Sequence, residues 1–188
     1  MAERVPVVKG LLCAAYNSPV KPFFVGLILG WIVLPLAGLL YLRFGYVPVA
    51  VNGPVIPFEE LLAGTAVQAR IARDAPTKAA LPPTEENLIA GAKIYREQCV
   101  ECHGLPGGAP SAVSKGMYPP PPQFFERKVM GNDPVGQNFW IVSNGIRLTG
   151  MPGYKGALSD QQLWQVSQFL SNRGQLPAAA SGLLTPVH

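Results

Sequence analysis

The sequence contains few of the side chains that bind metals through sulfur or nitrogen, because it has three cysteines and two histidines. Cys13 lies far upstream of the other two cysteines, and His188 is the last residue. A structural zinc site needs four such ligands. Only Cys99, Cys102 and His103 lie close together in the chain, so the scarcity of ligands excludes a structural zinc site.

Charged side chains are also scarce, at 14% of the residues, and the small excess of positive charge is unevenly distributed. The formal net charge is +4, of which residues 1–43 contribute +3 and residues 44–188 contribute +1. A nucleic-acid-binding domain usually carries a basic patch on its own surface. We therefore expect no nucleic-acid partner, and we interpret the basic N-terminus as a signal of membrane topology.

One long segment contains no charge at all. Residues 22–42 (PFFVGLILGWIVLPLAGLLYL) lie between Lys21 and Arg43. As a helix this segment would span about 31 Å, close to the ~30 Å thickness of a bilayer's hydrocarbon core. The apolar part of a cleaved signal peptide is shorter, at about 7–15 residues. The sequence therefore favours an uncleaved transmembrane helix over a removed signal peptide.

The charges on the two sides of this segment predict its orientation. Arg4, Lys9 and Lys21 precede it, whereas Arg43 alone follows it before a long neutral run. Basic residues are in excess on the cytoplasmic side of membrane helices, so residues 1–21 are predicted to form a cytoplasmic N-terminal segment. We expect a single-pass protein of the cell inner membrane whose larger part is periplasmic or otherwise extracytoplasmic.

A short motif, CVECH at residues 99–103, lies at the predicted end of a helix. Two cysteines three positions apart, followed directly by a histidine, match the attachment signature of a c-type haem. On a helical turn the two sulfurs lie on nearly the same face, so both can form thioethers with one porphyrin edge while His103 binds the iron. A disulfide or redox-active pair is the alternative, and it leaves His103 without a role. The motif predicts one haem c, attached covalently through Cys99 and Cys102.

The second axial position of such a haem decides between electron transfer and catalysis. Met117, Met130 and Met151 are the thioether candidates in the predicted exported part. Met151 differs from the others because Gly150 and Pro152 hold it on a constrained loop between two predicted helices. A Met/His pair raises the haem potential. We predict that Met151 is the second axial ligand and that the protein is an electron carrier without catalytic residues, not an enzyme in its own right.

Local signals predict three helices in this part of the chain. Thr84 is expected to cap the helix that leads to the CVECH motif. Asp133 and Pro134 are predicted to be the N-cap and first residue of a middle helix. Ser159 and Gln162 form a capping box for a last, amphipathic helix.

Proline is concentrated in two stretches outside these helices. Residues 43–83 are predicted to form a Pro-rich linker in which residues 58–73 form a short helix. That helix is expected to pack on the parent domain or the membrane surface, or to bind a partner subunit. The four prolines Pro119–Pro122 impose polyproline II geometry. A carbonyl from this run, or that of Pro110, is expected to accept the Nδ1 proton of His103.

A helix that ends in CxxCH, a glycine-rich loop, a middle helix, a Gly-Met-Pro loop and a final amphipathic helix together resemble a class I c-type cytochrome. The resemblance covers residues 84–172 and leaves residues 173–188 as a flexible tail. It implies an all-α fold: a small cytochrome c-type helical domain around one covalently bound haem. A single N-terminal transmembrane helix precedes that domain.

The resemblance also implies how the domain packs and works. Gly91 and Tyr95 on the first helix are expected to cross the last helix near Leu163 and Trp164. We expect a membrane-tethered mono-haem cytochrome c that passes single electrons between redox protein partners at the outer face of the membrane. Its other contact is membrane lipid, and it has no small-molecule substrate. An integral haem c subunit of a larger respiratory or photosynthetic oxidoreductase is the alternative, and a gas-binding haem sensor or enzyme is a third hypothesis.

Overall fold

The structure is a computed structural model that describes residues 20–126 and 133–185. The predictions made for Cys13, Met130 and His188 lie outside these residues. The described part contains eight helices and no sheet, which confirms the all-α prediction. The helices are α1 (Val20–Arg43), α2 (Glu59–Asp74), α3 (Glu85–Gln98), α4 (Val100–His103), α5 (Ala112–Lys115), α6 (Val135–Asn144), α7 (Asp160–Ser171) and α8 (Ala178–Gly182). They belong to two compact units, residues 1–49 and residues 50–188.

The first unit contains α1, a 24-residue helix with no buried residue. Among the described helices, α1 alone is long and apolar enough to cross a membrane. Pro35 lies inside it without ending it. The helix therefore includes the whole of the predicted span, residues 22–42, and the crossing of a membrane stays a prediction.

The second unit is built on the crossing of α3 and α7, whose caps agree with the sequence signals. The Thr84 hydroxyl accepts a hydrogen bond from the Asn87 amide at 3.3 Å. Ser159 and Gln162 form the predicted capping box at the start of α7. These local hydrogen bonds satisfy amides that have no partner within the helix, so each helix begins where the sequence predicts.

The crossing depends on a glycine. A Cβ added at Gly91 would lie 2.2 Å from the Gln165 carbonyl oxygen and 2.7 Å from the Phe169 Cβ. Tyr95, one turn later on α3, packs against Phe169 with 5.1 Å between the ring centroids. Gly91 therefore meets Gln165, next to the Leu163 and Trp164 that the resemblance implied, and Phe169, one turn further along α7.

The middle helix, α6, begins one residue later than predicted. Pro134 has φ −55° and ψ 129°, which is an extended conformation, and so it occupies the N-cap position with Val135 as the first helical residue. Asp133 forms an ion pair with Arg173 at 2.9 Å instead of capping the helix. α6 lies between α7 and α2, and a Cβ at Gly136 would overlap the Pro76 carbonyl oxygen.

The helix in the Pro-rich linker, α2, spans Glu59–Asp74, close to the predicted residues 58–73. It packs on α6 through Ile71, whose side chain is 2% exposed. The Tyr118 hydroxyl donates to a Glu60 carboxylate oxygen at 3.2 Å and joins α2 to the proline run. The linker helix is therefore part of the folded unit.

The C-terminal segment differs from the predicted flexible tail at residues 173–188. Residues 173–185 follow an ordered path that includes α8, and Ala180 and Leu184 are buried against the core. The Arg96 guanidinium donates to the Leu183 carbonyl at 2.5 Å. The prediction of a loose tail is wrong for these residues because small alanines allow a close approach to α3 and a buried leucine anchors the end.

Candidate functional site

A cavity of about 320 Å³ lies beside the α3–α7 crossing. Its walls come from α2, the end of α3, α4, the proline run, α6 and the loop after α6, and they are mostly apolar. All four residues that the sequence predicts as cofactor-binding line it: Cys99, Cys102, His103 and Met151. Residues 48 positions apart in the sequence thus contribute to one site.

The two cysteines are held by the short helix that continues α3. Cys99 is the residue between α3 and α4, and Cys102 lies inside α4. Both are free cysteines. Burial, with a smaller effect of nearby Cys102, raises the pKa of the Cys99 thiol to about 12, so this thiol is protonated at neutral pH. In the described residues no group of three or more His, Cys, Asp or Glu could hold a metal ion.

His103 is 8% exposed and its ring orientation is defined. Its Nδ1 lies 2.9 Å from the Pro122 carbonyl oxygen. Because a carbonyl oxygen can only accept, Nδ1 carries the proton and Nε2 is the nitrogen that can bind a metal. Burial lowers the pKa of His103, and the Pro122 hydrogen bond opposes this effect. The acceptor is therefore in the predicted Pro119–Pro122 run and not at Pro110.

Two residues directly after the prolines support this arrangement, and the sequence reasoning did not single them out. The Phe124 ring stacks on the His103 ring with 4.3 Å between centroids and 12° between planes. The Gln123 side-chain amide nitrogen lies 2.9 Å from the Cys102 carbonyl oxygen and 3.0 Å from the Ser114 hydroxyl. The sequence signal that could have identified them is their position, because Gln123 and Phe124 directly follow the stiff proline run.

The loop that carries Met151 is closed by its own hydrogen bonds. The Met151 amide donates to the Thr149 hydroxyl at 3.1 Å, and the Met151 carbonyl accepts from the Ile146 amide at 3.1 Å. Met117 lines the same cavity, and its Sδ would lie 2.9 Å from a Cβ placed at Gly150. Two of the three candidate methionines are therefore at the site, and the choice of Met151 as ligand stays a prediction.

The chemistry of this donor set fits a covalently attached haem. One wall contains two thiols that can form thioethers and an imidazole whose Nδ1 is already engaged. The same cavity contains thioether sulfurs, and Met/His is a known axial pair for haem iron. Apolar side chains form most of the remaining lining, as is usual for cofactor sites. The residues that are present therefore suit this group.

Comparison with known proteins agrees with the site. Residues 86–170 match the family model described as subunit III of cbb3-type cytochrome c oxidase. The chain is also 31% identical over 173 residues to quinohemoprotein alcohol dehydrogenase ADH-IIG of Pseudomonas putida. That alignment covers 89% of this chain and 22% of the dehydrogenase, so the chain spans about a fifth of the relative's length.

Among solved structures, a chain of the reducing HAO-like protein complex of Kuenenia stuttgartiensis has a TM-score of 0.43 and 26% sequence identity. The match covers 50% of this chain and 47% of that chain.

Proposed function

We propose that residues 86–170 are a c-type cytochrome domain and that this chain is a membrane-tethered mono-haem cytochrome c. It would transfer single electrons between redox proteins at the outer face of the membrane. A c-type cytochrome domain carries haem c and serves electron transfer. The observation that carries the finer proposal is the single cavity lined by Cys99, Cys102, His103 and Met151.

Each of these residues has a distinct task. When bound, the haem supplies an iron that alternates between the ferrous and ferric states. Cys99 and Cys102 would hold the group covalently, and His103 and Met151 would bind its iron. The Pro122 carbonyl fixes the imidazole through Nδ1 and so directs Nε2 into the site. The mostly apolar walls keep water away from the centre, which tunes its redox potential.

The membrane location is supported by α1, which has the length and composition of a spanning helix. We infer a single-pass inner-membrane protein with a cytoplasmic N-terminus, because Arg4, Lys9 and Lys21 precede the helix while Arg43 alone follows it closely. The cytochrome domain is then extracytoplasmic, and its partners are redox proteins at the membrane surface.

The decisive experiment examines haem attachment in the full chain. Expression in a bacterium that exports and matures c-type cytochromes should yield haem that stays on the polypeptide in a denaturing gel. The Cys99→Ala and Cys102→Ala double variant should lose it. Absence of covalent haem from the unaltered protein would refute the proposal.

The axial ligand is tested by a matched pair of methionine variants. Met151→Ala should abolish the methionine-to-iron charge-transfer band of the oxidised protein, whereas Met117→Leu should retain it, although both residues line the cavity. The reverse result would transfer the ligand role to Met117. Rapid binding of carbon monoxide by the reduced, unaltered protein would instead favour the gas-binding hypothesis.

A second candidate function is that of a permanent haem c subunit in a larger oxidoreductase. It is favoured by the matched family model, whose description is that of an oxidase subunit. Purification of the full chain in mild detergent separates the two hypotheses. Stoichiometric companion subunits that stay bound through size exclusion would support the second candidate, and a monodisperse haem protein would support the carrier.

A further inference from the structure

A buried cation, Arg173, lies against the Phe124 ring that stacks on His103, and the proposed function gives this cation no role. The Arg173 side chain, just after α7, is 1% exposed. Its Nη1 donates to the Leu170 carbonyl at 2.6 Å, and its Nε donates to the Phe124 carbonyl at 3.3 Å. Its Nη2 pairs with the Asp133 carboxylate at 2.9 Å, and that carboxylate is 49% exposed. Arg173 is therefore a fixed charge within the protein, with a partially solvated counterion.

Arg173 is connected to the predicted iron ligand by one aromatic ring. The guanidinium carbon lies over the Phe124 ring, 5.5 Å from its centroid. The same ring stacks on His103 at 4.3 Å. The guanidinium carbon is therefore within about 10 Å of the His103 ring centroid, because both separations share the Phe124 ring. A cation over an aromatic face is attracted by the ring quadrupole, so the contact also restrains Phe124.

A further ionisable side chain, Tyr95, lies beside this stack. Tyr95 packs near Phe124 with 6.3 Å between ring centroids. It is neutral, because burial raises its pKa far above the physiological range. A charge that is removed from water acts over longer distances than an exposed one, because salt and solvent screen it less. Arg173 is 1% exposed and Asp133 is 49% exposed, so the positive member is felt more strongly inside the domain.

We propose that Arg173 is a positioning residue that acts on His103 through Phe124 and raises the reduction potential of the site, an inference that rests on the proposed function. The ferric state carries one more positive charge than the ferrous state, so a buried cation nearby favours the ferrous state. Asp133 offsets part of this effect. The contact with Phe124 also holds the ring that stacks on the imidazole, so Arg173 restrains the plane of His103.

The opposite charges of the pair provide the test. In the haem-loaded full chain, Arg173→Gln should lower the potential and Asp133→Asn should raise it. We expect the ratio of reduced to oxidised protein at fixed potential to change by about threefold to tenfold for Arg173→Gln, which is about 28 to 59 mV for one electron. The measurement is a spectroelectrochemical titration at moderate ionic strength.

Two controls separate this effect from structural damage. Lys93→Gln removes the same formal charge from an exposed position on α3 and should leave the potential nearly unchanged. Arg173→Lys keeps the charge and should recover most of the potential lost in Arg173→Gln. If Arg173 had a purely structural role, Arg173→Gln and Asp133→Asn would shift the reduction potential in the same direction. That result would overturn the inference.

The outcomes also distinguish this inference from the proposed function. If Arg173→Gln does not accumulate as folded protein, Asp133→Asn provides the test, because the Asp133 side chain is half exposed and its replacement should not prevent folding. No rise in the reduction potential of Asp133→Asn would refute the role of the ion pair. Unchanged potentials in haem-loaded variants would overturn the inference alone. Failure of the unaltered chain to hold covalent haem would overturn the proposed function.

Discussion

The α3–α7 crossing and the cavity beside it are neighbours in one folded unit, yet they are built in different ways. The crossing joins two regular helices, and Tyr95, Leu163 and Phe169 are completely buried in it. The cavity is lined largely by irregular segments, in which side chains bond to carbonyls that are distant in the sequence, as His103 does to Pro122. The helices satisfy their own backbone groups, whereas the loops depend on side chains from elsewhere in the chain.

The difference indicates which interactions stabilise each part of the domain. The crossing is stabilised by apolar burial and close packing, so it should respond to changes in side-chain volume. The cavity wall should respond to the loss of single hydrogen bonds and to the removal of its few apolar anchors. Four pairs of substitutions test this distinction, and all are measured as the free energy of unfolding of the haem-loaded protein.

The largest effect is expected at the one fully buried apolar anchor that α2 contributes to the cavity. Ile71→Ala should destabilise the protein by about 2–5 kcal/mol, because it removes a side chain that is 2% exposed and leaves a void. Leu62→Ala on the same helix is the control, at 68% exposed, and should change stability by less than about 0.5 kcal/mol. Equal effects of the two substitutions would contradict the packing of α2 on the domain.

A smaller effect is expected at the crossing itself. Gly91→Ala should cost about 1–3 kcal/mol, because its Cβ would meet the α7 backbone at 2.2 Å and the helices must move apart. Gly64→Ala in α2 has open space around its Cβ and should stabilise the protein by about 0.5–1 kcal/mol. Urea denaturation followed by circular dichroism gives both values. A neutral Gly91→Ala variant would show that the crossing tolerates added volume.

The hydrogen bonds of the cavity wall should be worth less than its apolar anchor. Gln123→Leu should destabilise by about 1–2 kcal/mol, since it removes the donor to the Cys102 carbonyl and leaves that group without this partner. Gln161→Leu, at an exposed position of α7, is the matched change and should have little effect. Thermal unfolding of the two variants in parallel provides the comparison.

The smallest effect has the opposite sign. Leu148 is 95% exposed and has φ 62°, a left-handed conformation that is unfavourable for a side chain with a Cβ. Leu148→Gly should therefore stabilise the protein by about 0.5–1 kcal/mol. Arg147→Gly, its neighbour in the same loop, should not stabilise it. A loss of stability in Leu148→Gly would mean that the exposed leucine has a packing role.

The regular half of the domain was the more predictable half, for a physical reason. Thr84 and Ser159 cap helices through hydrogen bonds to residues three positions away, so a short stretch of sequence contains the whole signal. The CVECH motif and the proline run are equally local. The sequence predicted that the acceptor for the His103 Nδ1 proton lies in residues 119–122 or at Pro110, and the structure assigns this role to Pro122.

The remaining contacts join residues that are far apart in sequence, and no local pattern encodes them. Arg173 contacts Phe124 across 49 positions, and it lies in a segment that was predicted to be flexible. The presence of Met117 beside Gly150 depends on how two loops pack, so the sequence did not indicate that a second methionine would line the cavity with Met151. The exact register of α3 on α7 likewise follows from side-chain packing that the glycine permits but does not specify.

The attachment of α2 to the folded unit has a consequence for how the protein finds its partners. α1 ends at Arg43 and α2 begins at Glu59, so 15 residues connect them. Such a chain spans about 50 Å when fully extended and about 20 Å on average when flexible. In the membrane-anchored protein that we propose, this short connection keeps the cytochrome domain within about 50 Å of the membrane surface, where partners in the same membrane are also confined. Weak, quickly released encounters are then sufficient for rapid electron exchange.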